Sequence, residues 1–172
     1  QTLRGRTIAF EDRGSTTAFL LPLAMLRRRG IEAVELPSPR RKPPADKIGY
    51  AFARGEINIV AWVVKGLADA GTLSNLDWED LARTPAPMKG NLRVFHATQP
   101  IIRSLIVARR GLDGKLKARI EDILLAMNAD PAGRNVLEAY NQVARYDRIE
   151  GEAARRLEEV RRLVPLVSEE LR

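Results

Sequence analysis

The stretch Thr7-Ile8-Ala9-Phe10-Glu11-Asp12-Arg13-Gly14-Ser15-Thr16-Thr17 decides how this 172-residue chain is read. Thr7 to Phe10 suit a short strand, Asp12 to Gly14 suit a turn, and an apolar helical pattern runs from Ala18 to Leu26 behind them. Strand, turn and helix in that order predict the opening of a βα unit. Gly30 ends the helix as a left-handed terminator, and Arg27, Arg28 and Arg29 precede it, where cations suit the negative end of the helix dipole. Pro22 falls well inside the pattern, where a proline costs about 3 kcal/mol and bends the axis. A kink that sets the first turns at an angle is therefore expected.

Working outward, Ala33–Leu36 reads as a second strand, followed by a basic, proline-rich loop from Pro37 to Pro44 that forbids regular structure. Asp46 is expected to cap a helix over Lys47–Arg54 that Gly55 ends. Ile57–Val64 is an apolar, β-branched run of strand length, predicted as a strand buried on both faces. Leu67–Arg83 reads as a short helix, a turn and a second helix from about Asn75. Asn91–Ala97 and Ser104–Ala108 are strand candidates on either side of Pro100.

From Leu112 the pattern turns helical, with Leu116, Ile120, Ile123, Leu124 and Met127 at helical spacing in Lys115–Met127. Asp130-Pro131 opens a helix to about Tyr140, and a last helix covers Gly151–Leu163. The predicted class is α/β, with a mostly parallel sheet flanked by helices. A break near Pro100 divides residues 1–100 from a return strand and closing helices at 101–172.

Composition narrows the function classes. Apolar residues make up 45% and charged residues 30% of the sequence, the balance of a globular protein rather than a disordered one. No apolar run approaches the ~20 residues of a membrane-spanning helix. Gln1 to Arg6 lead directly into the first strand, so no signal peptide is expected within this sequence. Cysteine is absent and His96 is the single histidine, which argues against disulfides, zinc sites and His-based triads. Glu11 and Asp12 lack a nucleophile or metal partner in the sequence and read as turn chemistry. Neither catalysis, a metal nor a cofactor is expected. Trp62, Tyr50, Tyr140, Tyr146 and His96 read first as packing or surface residues.

The formal net charge of +7 points to an anionic partner. Aromatics are only 5%, and arginines of the last helix alternate with Glu152, Glu158 and Glu159 as on a solvated face. Nucleic-acid binding through Arg27–Arg29 and Arg40–Lys42 is the weaker alternative.

Chemistry concentrates where strand gives way to helix. A helix N-terminus leaves backbone N–H groups without intrahelical partners and carries the positive end of the dipole. An anion placed there meets convergent donors. Ser15, Thr16 and Thr17 add hydroxyls, Gly14 permits close approach, and Arg13 adds charge if it turns inward. An ordinary N-cap at Ser15 is the plainer reading of the same letters.

The segment Phe10–Thr17, with Leu20-Leu21-Pro22 behind it, resembles the Ser-Thr-Ser signature of phosphate/phosphonate-type ABC-transporter substrate-binding proteins. Ala51-Phe52-Ala53-Arg54-Gly55-Glu56-Ile57-Asn58 resembles that family's helix and Gly-acid-Val-Asp passage. Thr98-Gln99-Pro100-Ile101-Ile102 with Ser104–Arg110 resembles its return crossing between lobes, and Asp130-Pro131-Ala132-Gly133 its Pro-x-Gly helix opening. The resemblance implies a type 2 periplasmic-binding-protein fold with ligand held in an interlobe cleft. Residues 1–100 then correspond to the second lobe, and 101–172 complete the first, whose opening stretch of about a hundred residues is not in this sequence. It further implies binding of a small oxyanion (phosphate, phosphonate or phosphite) at Ser15, Thr16 and Thr17, with Asn58 and Trp62 at the cleft. A periplasmic location follows, with membrane subunits of an importer or a membrane sensor as partners. Two departures stand out. Ala45 is the residue nearest the family's histidine, and Asn58 stands where the family has an acid, which removes a negative charge and favours a fully ionised anion. The effector domain of a LysR-type regulator, which shares the fold, is the alternative.

Overall fold

The computed structural model describes residues 3–102, 104–140 and 142–170. The expected start at Gln1-Thr2 and the last two residues of the 101–172 range lie outside them. Two compact units result, one running to Gln99 and resuming at Glu158, the other spanning Pro100–Leu157. The segment after Glu158 rejoins the sheet, because Val167 is fully buried in the core beneath the first helix.

The first unit is a four-stranded parallel sheet in the order β2-β3-β1-β4. Its strands are β1 (Thr7–Phe10), β2 (Ala33–Glu35), β3 (Ile48–Phe52) and β4 (Ala70–Gly71). β1 is central and buried throughout, so its alternate side chains feed two layers. Ile8 and Phe10 pack with Phe19, Leu23, Ala24 and Leu26 on one face, whereas Ala9 meets Ile59, Ala53 and Ala68 on the other. Helix α1 (Leu21–Arg28) covers the first face and α2 (Glu56–Val64) the second. Gly71 is what lets α2 lie close, since a Cβ there would come within 2.3 Å of Ile59 Cγ2.

Two expectations exchange places. Lys47–Arg54, read as a helix, contains β3, and Ile57–Val64, read as a strand, is α2. β3 is fixed by partners on both sides, with Tyr50 opposite Ile8 and Val34 opposite Gly49. The apolar run of α2 shows helical spacing once Ile59 and Val60 are buried while Ile57 and Val64 are exposed. Asp46 therefore caps nothing. Leu67–Arg83 yields β4 and then α3 (Asn75–Glu79), capped by Ser74, followed by α4 (Ala86–Lys89). Asn91–Ala97 and Ser104–Ala108 form no strands.

Pro22 does not kink an α-helix; it begins one. Thr16–Leu20 wind as a π-helical turn, with Leu20 N–H donating to Ser15 O at 3.0 Å, and α1 proper opens at Leu21-Pro22. Proline tolerates that position because its N–H is not needed there. The Ala18 carbonyl four residues earlier receives no N–H from Pro22, and the Thr72 hydroxyl donates to it at 2.7 Å instead. Thr72→Val is therefore expected to cost about 1–3 kcal/mol, the penalty of an unmet buried acceptor. Urea denaturation checks this; a loss below about 0.5 kcal/mol, the range of neutral surface changes, would mean that the hydroxyl is dispensable.

In the second unit, α5 (Gly114–Ala126) is capped by Asp113 and α6 (Pro131–Ala139) by Asp130, whose Oδ1 accepts from Gly133 N–H at 2.9 Å. Gly133 is required, as a Cβ would lie 1.9 Å from Met127 O. A helix α7 covers Gly151–Arg161. Leu137 is the one buried apolar residue of this unit among those described.

Candidate functional site

The parallel strands β3, β1 and β4 deliver three turns to one edge of the sheet, at residues 11–15, 53–55 and 72–74. Ligands gather at this edge in open α/β sheets. In the first turn, Asp12 Oδ1 accepts from Gly14 N–H at 2.6 Å and Ser15 N–H donates to Asp12 O at 3.3 Å. Ser15 is extended (φ −75°, ψ 117°) and its Oγ accepts from Ala18 N–H at 3.1 Å, so it is an N-cap. The amides of Thr16 and Thr17 open the helix, where no carbonyl one turn back can accept them. The π-helical turn that follows is a feature found frequently at functional positions.

Ser15, Thr16 and Thr17 are thus gathered at one helix opening, Thr16 exposed and the other two half-buried. Asn58 is in the first turn of α2, and its Nδ2 donates to Ala53 O at 2.9 Å, tying the β3–α2 turn. Trp62 lies one helical turn further on, packed against the Ala9, Ala53, Ile59 and Ala68 cluster. Arg13 turns outward, donating to Glu35 Oε2 at 2.5 Å and to Glu170 O at 2.8 Å. Arg27, read as part of a cationic patch, is bonded to Leu166 O and the Glu170 carboxylate.

Carboxylates gathered from three turns escaped the sequence reading. Burial pushes the Glu11 carboxyl up, the Ser15 hydroxyl opposes that shift, and the charges of Glu56, Asp12 and Asp77 add to it. Arg83 answers two of them, Glu56 at 2.8 Å and Asp77 at 2.5 Å, and their charges raise its guanidinium further. Arg54, in the left-handed region at φ +58°, donates its N–H to Glu11 O at 2.9 Å. Acids are thus present on the edge at which Asn58 itself carries no charge. Glu11 and Asp12 were visible in the sequence as turn residues, but the convergence of Glu56 and Asp77 on them depends on the fold, Glu56 opening a helix read as a strand.

A raised carboxyl holds its proton more tightly folded than unfolded. Its contribution to stability is thus complete below the unfolded value of 4.5 and is lost as pH rises through the folded one. Glu11→Gln is expected to remove that decline and to tighten binding of a fully ionised anion at Ser15. Thermal unfolding against pH, paired with anion titration, measures both. An unchanged profile together with unchanged affinity would detach Glu11 from the site.

This parallel sheet flanked by helices is a fold of the periplasmic-binding-protein kind. The chain belongs to the family described as ABC transporter, phosphonate, periplasmic substrate-binding protein, which matches residues 1–153. Its fold is also that of XAC2383 from Xanthomonas citri, solved bound to chloride ion (TM-score 0.91) and bound to ATP (TM-score 0.93), at 32% identity in both cases. The matches cover 97% and 99% of this chain but 60% and 62% of that one, so the chain spans about three-fifths of the relative's length. No curated protein matches the sequence. Among the described residues, no helix is long and apolar enough to cross a membrane.

Proposed function

We propose that this chain carries the oxyanion-binding edge of a periplasmic solute receptor that serves an ABC importer or a membrane-bound sensor. The ligand is phosphate, a phosphonate or phosphite, held by the hydroxyls and free amides of Ser15, Thr16 and Thr17. Asn58 and Trp62 serve this site as flanking residues, Asn58 through the turn it ties. The role is capture rather than catalysis. The observation that carries the reading is the pair of amides at Thr16 and Thr17, which find no acceptor among the described residues, opening a helix behind the central strand in a member of a phosphonate-binding family. Support also comes from the relative solved with ATP, a ligand whose phosphates offer the same oxygen chemistry.

Pro100–Leu157 then belongs to the family's first lobe, and it presents apolar surface. Leu105, Ile106 and Val107 are 44%, 54% and 83% exposed, and Leu116, Ile120 and Ile123 on α5 are 48%, 40% and 58% exposed. Apolar faces of that extent ordinarily meet a partner. Isothermal calorimetry with phosphate, methylphosphonate, phosphite and sulfate tests the reading. Binding of a phosphorus oxyanion in preference to sulfate is expected, and heats no different from buffer for all four would refute it.

A further inference from the structure

We propose that Arg13 is a positioning residue for the anion-binding turn, latching that turn to the C-terminal segment Val164–Glu170; the proposal rests on the oxyanion reading above. Arg13 lies between Asp12, whose carboxylate holds Gly14 N–H, and the N-cap Ser15. Its guanidinium is fixed by three elements distant in sequence. Nη2 donates to Glu35 Oε2 at the end of β2 (2.5 Å), Nη1 to Glu170 O (2.8 Å), and the group stands 5.2 Å over the Phe52 ring at the end of β3. A planar fork engaged by two acceptors and a ring has little freedom to swing toward the ligand.

The segment it grips is itself docked. Val167 is fully buried among Phe19, Leu23 and Tyr50, Leu163 and Leu166 pack beside it, and Arg27 donates to Leu166 O at 2.5 Å and to the Glu170 carboxylate. Two arginines flanking one helix thus converge on Glu170. Its Oε2 is buried without a hydrogen-bond partner among the described residues. That unmet desolvation makes the docked segment easier to release than its apolar contacts alone imply. Docking of Val164–Glu170 and ordering of Gly14–Thr17 are therefore linked, and linkage is reciprocal: whatever tightens one tightens the other.

The test uses the full 172-residue chain and the variants Arg13→Ala, Arg13→Lys and Glu170→Ala. Without ligand, hydrogen exchange is read at the Ala18 and Leu20 amides, which bond to Ser15 Oγ and Ser15 O. Faster exchange there in Glu170→Ala is expected, although its side chain does not touch the turn, and unchanged exchange overturns the latch. With methylphosphonate, Arg13→Ala should weaken affinity about fivefold or more, the lower bound of ordinary coupling between sites, and Arg13→Lys should recover only part of it. An Arg13→Ala chain that binds as the parent does, while Leu166 exchanges faster, would reduce Arg13 to a clamp for the tail and overturn the proposal. If the parent chain binds none of phosphate, methylphosphonate and phosphite, the oxyanion reading fails, and the ligand-free exchange still decides the coupling.

Discussion

A chain carrying Ser15→Ala and Thr16→Ala together is expected to bind methylphosphonate at least about a hundredfold more weakly than the parent, because each hydrogen bond to a charged group contributes about 1.5–3 kcal/mol. The two hydroxyls do not play equal parts. Thr16 is exposed at the helix opening and its hydroxyl makes no hydrogen bond among the described residues, so its replacement should report on ligand alone. Ser15 also caps Ala18 N–H at 3.1 Å, and loss of such a cap costs about 1 kcal/mol of stability. Thermal unfolding of the single variants separates the contributions. Thr16→Ala should leave stability within about 0.5 kcal/mol while weakening affinity, and Ser15→Ala should lower both. A double variant that binds like the parent would remove these residues from the site.

Phe19→Ala should produce the largest loss of stability, about 3–5 kcal/mol. Phe19 is fully buried, and its ring meets Phe10 at 5.4 Å, Phe52 at 5.1 Å and Tyr50 at 5.8 Å in edge or tilted geometry. Removing it opens a cavity bordered by three aromatic rings that cannot collapse into it without distorting β1 and β3. Since native domains are stable by only about 5–15 kcal/mol, the variant should unfold at much lower urea with a similar denaturant slope. Phe19 also belongs to the π-helical turn behind Ser15, so anion affinity should fall with it even where the sheet survives. A loss under about 1 kcal/mol would contradict the packing described for this face.

The strand, turn and helix opening of the candidate site were legible in the sequence because their determinants are local. Strand, turn, glycine and hydroxyl cluster occupy consecutive positions from Thr7 to Thr17, and Gly30 takes the left-handed conformation (φ +67°) that its place after α1 demanded. Errors collected where structure depends on distant partners. Ile48–Phe52 is a strand because β1 and β2 lie on either side of it, and no local period announces that. Ile57–Val64 carries β-branched residues that suit a strand, yet tertiary burial of Ile59 and Val60 makes it a helix. The alternation in Asn91–Ala97 is genuine, but no paired neighbour for it occurs among the described residues. Arg13 was read as a source of charge for the ligand, and only folding brings Glu35, Phe52 and Glu170 to its guanidinium.

Titration of the nitrogen-15-labelled chain with methylphosphonate, followed by amide chemical shifts, addresses the anion cradle most directly. Saturable shifts led by Ser15, Thr16 and Thr17, with sulfate producing weaker ones, are the predicted result. Shifts confined to the exposed arginines, or none at the start of that helix at any methylphosphonate concentration, would contradict it.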